Sequence, residues 1–203
     1  MNNDWKGNTK SIFTTLGASS HSEHEREKHD YYATTPDAID KLFNILGSDL
    51  SLSIWEPCCG ELHLSKRMLE LLPNLKIRNS DLINRVGEGV EVLDFLKYDK
   101  PNSFDGSIIT NPPYSFAQEI VEKAIETVTV GNFVCMFLKL TFLEGQKRRK
   151  FFDKYPPMKV LVSSTRLKCA LNGEFEKTGS SAAAYAWFIW IKDFSKKPVI
   201  EWI

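Results

Sequence analysis

A chain of 203 residues with 42% apolar and 26% charged side chains suits one water-soluble domain with a sizeable core. Its 26 basic and 26 acidic residues cancel, which argues against tight nonspecific nucleic-acid binding; a polyanionic partner needs a local basic face. Cys58, Cys59, Cys135 and Cys169 contain no C-x-x-C pair, which argues against a zinc site and a disulfide framework, and without a signal peptide or long apolar run the chain is expected in the cytoplasm.

Residues 1–29 are polar, with His21, His24 and His29 among Glu23, Glu25 and Glu27. They read as a flexible solvated tail rather than a metal cluster, leaving residues 30–203 as a single domain. Thr35-Pro36-Asp37 reads as a helix start, with Thr35 as N-cap and Pro36 in the first helical position. Ile39, Leu42, Phe43 and Leu46 follow at helical spacing, and Gly47 ends the run. Leu52 to Trp55 is a strand leading into Glu56-Pro57-Cys58-Cys59-Gly60, and a helix follows from about Leu62 to Pro73. Further strands are expected at Leu75 to Ser80, Val90 to Leu93, Gly106 to Thr110, Phe133 to Leu140, Val160 to Ser163 and Ala184 to Ile191. Helices are expected at Phe116 to Val128 and Glu144 to Tyr155, and Val199 to Ile203 reads as a short edge strand. Alternating strands and helices predict an α/β fold: a mostly parallel seven-stranded sheet covered on both faces. Such sheets bind ligands beyond the carboxyl ends of their strands, where Glu56, Asp81, Asp94 and Asn111 lie.

Asn111-Pro112-Pro113-Tyr114 directly follows a predicted buried strand. Asn-Pro is also a common turn signal. All four residues match by chance on the order of once in a thousand chains of this length. The tetrapeptide suits one chemistry. An aromatic amino nitrogen is a poor nucleophile because its lone pair is delocalised into the ring. The Asn111 side-chain oxygen and the Pro112 carbonyl can hold its two N–H bonds and favour a lone pair aimed at a methyl donor. Pro112 and Pro113 stiffen the backbone, and Tyr114 can stack on a flat substrate. With an activated sulfonium as donor, no metal or strong base is needed; alignment and preorganised polarity suffice.

This motif resembles the catalytic motif of S-adenosylmethionine (SAM)-dependent amino-methyltransferases, chiefly those acting on adenine N6 in DNA, and the chain looks most similar to the small, often phage-encoded members. The resemblance spans roughly residues 31–191 and implies a Rossmann-like class I methyltransferase fold with SAM as cofactor and DNA as partner. Thr34-Thr35-Pro36 resembles the segment that contacts the cofactor carboxylate. Glu56, Pro57, Cys58 and Gly60 resemble the loop around its methionine part, although Leu62 stands where a second glycine is common. Asp81 resembles the acidic residue on the ribose, and Asp94 with Phe95 the pair at the cofactor adenine.

On the target side, the basic run Lys147-Arg148-Arg149-Lys150 reads either as a solvated helix face or as a phosphate contact. Arg166, Lys168 and Phe175 are candidate substrate-binding residues, Phe175 because the family can place an aromatic there against a flipped base. The connection of about twenty residues before the last main strand implies that this strand runs antiparallel. The same motif also suits amino groups in RNA and the glutamine side chain in proteins. A catalytically silent SAM-binding module would have let Asn111 to Tyr114 decay. A nicotinamide oxidoreductase would need G-x-G-x-x-G, of which only Gly60 is present.

Overall fold

The computed structural model describes residues 32–165, 167, 169–171 and 183–203. The N-terminal tail and the candidates Arg166, Lys168 and Phe175 lie outside the described residues. In chain order the strands are β1 (Tyr32–Thr34), β2 (Ser53–Glu56), β3 (Lys76–Asp81), β4 (Glu91–Val92), β5 (Ser107–Thr110), β6 (Phe133–Lys139), β7 (Lys159–Val162), β8 (Cys169–Leu171), β9 (Tyr185–Ile191) and β10 (Val199–Trp202). The helices are α1 (Asp37–Leu46), α2 (His63–Leu71), α3 (Ala117–Thr127) and α4 (Gln146–Lys154).

Eight strands form one sheet in the order β10-β7-β9-β6-β5-β2-β3-β4. The seven expected strands are all present, and the short edge strand β10 adds an eighth alongside β7, in parallel. Only β9 opposes its neighbours, pairing antiparallel with both β6 and β7. Successive strands run one way from β2 to β4 and the other way from β5 to β6, so the order reverses between β2 and β5. Their carboxyl ends frame the crevice where sheets of this kind take ligands.

The residues of β9 show why the sheet is covered on both faces. Trp187 and Ile189 join the core under α1 and α2, with Ile39, Leu42 and Met68. Ala186, Phe188 and Trp190 join the core under α3 and α4, with Val121, Ala124 and Phe151. Successive strand residues point to opposite faces, so a fully apolar strand must be covered twice. The two buried indoles also pin helices: Trp187 Nε1 donates to the Ala38 carbonyl (2.7 Å) and Trp190 Nε1 to the Tyr155 carbonyl (3.0 Å). The aromatic run Tyr185 to Trp190 is therefore core strand.

Several local expectations need correction. Thr35 is not the N-cap of α1: Pro36 holds that position with helical dihedrals, and the Thr35 hydroxyl makes no capping bond. The Ala38 N–H goes instead to the Thr35 backbone carbonyl (3.1 Å). The three residues before it form β1, which pairs antiparallel with β8 in a separate two-stranded sheet, Thr34 opposite Cys169. β4 is only two residues long because it is an exposed edge with no apolar face to bury. The segment after Asn111 first makes a tight 3-10 turn, Tyr114–Phe116, before α3 begins at Ala117.

Candidate active site

The loop leaving β2 turns back on itself through two left-handed residues, Gly60 (φ 52°) and Leu62 (φ 66°). Glycine takes this conformation freely, whereas leucine pays a steric cost. Leu62 is the position where a second glycine is common in the resembled family, and it keeps the left-handed turn nonetheless. Three bonds tie the loop to its neighbouring strands. The Gly60 N–H donates to Asp81 Oδ2 (2.8 Å) and the Cys59 N–H to the Ser80 carbonyl (3.1 Å). On the other side Thr110 Oγ1 donates to the Cys58 carbonyl (3.4 Å). Glu56, Gly60 and Asp81 thus converge, and Thr110 links them to Asn111.

Asp81 organises this end of β3. Its Oδ1 accepts from the Ile83 N–H (3.0 Å) and lies 3.2 Å from Arg85 Nη1. Glu56 is almost fully buried and packs under α2. Its Oε2 meets Ser65 Oγ, which also contacts Asn79 Oδ1 at 2.5 Å. Burial raises the Glu56 carboxyl to about 8, with the nearby Asp81 charge adding to the shift. The loop thiols are likewise desolvated: Cys59 is pushed up to about 12 and Cys58 further in the same direction. Both stay protonated and serve as packing rather than as nucleophiles. Glu61 and His63 pair with each other at 3.3 Å beside the loop.

Thr34 ends β1, and Thr35 follows it just before α1. Their hydroxyl oxygens are buried and make no hydrogen bond among the described residues. Buried hydroxyls are normally satisfied. Two neighbouring orphans leave hydrogen-bonding capacity for a polar ligand on this side of the sheet.

Asp94 and Phe95 stand differently. Asp94 Oδ1 accepts from the Leu96 N–H (3.2 Å), capping a short turn, and Oδ2 pairs with Lys97 (3.0 Å). Phe95 is buried edge-on against Trp55, with ring centroids 5.2 Å apart. They follow β4, itself tied to β3 by the Leu93 N–H to the Asp81 carbonyl (2.9 Å); among the described residues no hydrogen bond joins Asp94 or Phe95 to the Glu56–Gly60 loop, though Phe95 and Cys58 belong to one packed cluster.

At the end of β5, Pro112 is buried and Asn111 half-buried with its Oδ1 withdrawn from solvent. The Phe116 N–H takes the Pro113 carbonyl (3.0 Å), closing the turn. The Pro112 carbonyl accepts no hydrogen bond among the described residues and is available to a ligand. Tyr114 lies at the seam between the two cores, 6.0 Å from the Tyr185 ring, with Lys139 Nζ 4.7 Å from its ring centroid. Sequence reasoning missed Lys139, Tyr185, Ser65 and Asn79. Lys139 left a readable trace, a single cation at the end of the apolar run Phe133 to Leu138; the other three enter only through strand register and helix packing.

No family model matches the chain, and no curated protein matches it in sequence. Solved structures match in fold. A Listeria monocytogenes protein assigned to the class I SAM-dependent methyltransferases aligns over 96% of this chain and 72% of its own, at 14% identity and TM-score 0.57. A Pyrococcus horikoshii protein assigned as an RNA methyltransferase aligns over 91% and 98%, at 14% identity and TM-score 0.59. The methyltransferase subunit of a type I restriction-modification system from Streptococcus thermophilus aligns over 88% of this chain but 48% of its own, at 12% identity and TM-score 0.61. The chain has the Rossmann-like fold of the class I methyltransferases.

Proposed function

We propose that the protein transfers a methyl group from SAM to an exocyclic amino nitrogen, and that its target is N6 of adenine in DNA. The observation that carries this reading is the position of Asn111-Pro112-Pro113-Tyr114. The motif closes β5 at the strand-order reversal and is linked through Thr110 to the Glu56–Gly60 loop. The fold shared with methyltransferases supports SAM as the cofactor, and a restriction-modification subunit among the neighbours favours DNA.

SAM supplies a methyl group already activated on a sulfonium. Thr34, Thr35 and the loop from Glu56 to Gly60 would hold it, with Asp81 bracing that loop through the Gly60 N–H. Asn111 Oδ1 and the free Pro112 carbonyl accept the two N–H bonds of the target amine and hold its lone pair toward the donor. Tyr114 packs on the face of the base. Binding and orientation account for the rate, and no side chain has to remove a proton before the transfer.

The RNA-methyltransferase neighbour keeps amino groups in RNA as a second reading. Labelled SAM incubated with separate DNA, RNA and protein pools decides between them. Label is expected in DNA. Label confined to RNA, or to glutamine side chains in protein, would move the target class, and label in none of the pools would remove the methyltransferase reading.

A further inference from the structure

Lys139 ends β6 beside the strand that carries Asn111, and it is half-buried. Lys97, Lys123 and Lys159 each have a carboxylate within 3.2 Å. Lys139 has none among the described residues; its ammonium rests on the Tyr114 ring. A partly desolvated cation without a counter-ion is costly, and one ring contact offsets only part of that. The position also conflicts with the chemistry, because methyl transfer moves positive charge from sulfur onto the target nitrogen. A fixed cation beside that nitrogen would oppose the transfer. In the productive complex Lys139 therefore needs an anion and a place off the ring.

We propose that Lys139 anchors the backbone phosphate of the target nucleotide. In the free protein its ammonium covers Tyr114; when a polynucleotide enters, it moves to the phosphodiester and uncovers the ring for the base. An extruded nucleotide carries its phosphate to the mouth of the pocket, so one event supplies both ligands. The chain leads from Lys139 through the turn Leu140–Leu143 to α4, where Lys147 and Lys150 are exposed and free of ion pairs among the described residues. These two would contact phosphates further along the strand. The inference rests on the nucleic-acid reading above.

The test uses Lys139→Met and Lys139→Arg in the full chain with a duplex that wild-type protein methylates. The slope of log affinity against log salt should fall by about 0.9 in the Met variant, the loss of one phosphate contact. Arg should restore it, and calorimetric SAM affinity should match wild type in both. A methylphosphonate replacing the target phosphate should lower wild-type kcat/KM by about tenfold, on the order of one charge-assisted contact, and leave the Met variant nearly unchanged. This second arm probes the contact on wild-type protein and does not depend on how the variant folds. Equal salt slopes, or equal losses on the neutral phosphate, would overturn the anchor. So would a drop in SAM affinity with a wild-type slope, which would assign Lys139 to the cofactor carboxylate. The nucleic-acid reading is judged separately, on wild-type protein alone: failure to methylate any DNA or RNA would remove it and the anchor with it.

Discussion

Ser65 Oγ carries one hydrogen and faces two acceptors, Glu56 Oε2 and Asn79 Oδ1. Burial raises the Glu56 carboxyl to about 8, against the hydrogen bond that Ser65 donates to it, which pulls the other way. The unfolded chain ionises this group near 4.5, the folded chain near 8. Between those values the folded state holds the extra proton, so this group's contribution to stability falls as pH rises through that window. Glu56→Gln keeps an acceptor for Ser65 and cannot ionise. Its stability relative to wild type should improve steadily from pH 5 to pH 8 in denaturant titrations, with SAM affinity within about threefold, a change of under 1 kcal/mol. Parallel stability curves would mean that Glu56 is ionised in the folded protein. For the proposed catalytic motif, Asn111→Ala should lower kcat by roughly a hundredfold or more while SAM affinity holds, because the proposal assigns the lost acceptor to the target amine. Tyr114→Ala should be severe and Tyr114→Phe mild in the same kinetic measurements, since stacking needs only the ring.

The crevice depends on the close pairing of β2 with β5. Gly106 makes this approach possible: a Cβ there would run into the Ser53 carbonyl oxygen and the Phe104 ring. Gly106→Ala should cost about 1–3 kcal/mol, a fall of roughly 2–12 °C in Tm, read by thermal unfolding. An unchanged Tm would mean that the strands separate there without penalty. Strands rich in β-branched and aromatic residues, such as β6 and β9, were legible from their apolar runs, as were the acidic ends of β2 and β3 and the motif after β5. What escaped depends on distant partners. β1 exists through its pairing with β8, more than 130 residues later, and no local signal announces it. The Thr35 cap followed local propensity, but the backbone entering α1 from a strand turned that hydroxyl inward. Lys139 was visible as a residue, whereas its contact with Tyr114 required the register of β6 against β5 and β9.

For the molecule as a whole, the charge balance of 26 against 26 leaves the proposed nucleic-acid binding to local cations. The basic run on α4 divides in two. Arg148 donates to the Thr141 carbonyl (3.0 Å) and lies over the Phe142 ring, while Arg149 pairs with Asp153 (3.0 Å). Lys147 and Lys150 remain exposed. Replacing both by Ala should lower the salt slope of DNA binding by up to about 1.8, or 0.9 per phosphate lost, and leave SAM binding unchanged. A wild-type slope in this double variant would make α4 a solvated face. The most direct test of the proposed activity is the identity of the product. DNA incubated with SAM carrying a deuterated methyl group, digested to nucleosides and examined by mass spectrometry, should contain deuteromethyl on adenine N6 with wild-type protein and only a trace with Asn111→Ala. Deuteromethyl absent from adenine, or present equally with both proteins, would contradict the assignment of this motif to adenine methylation.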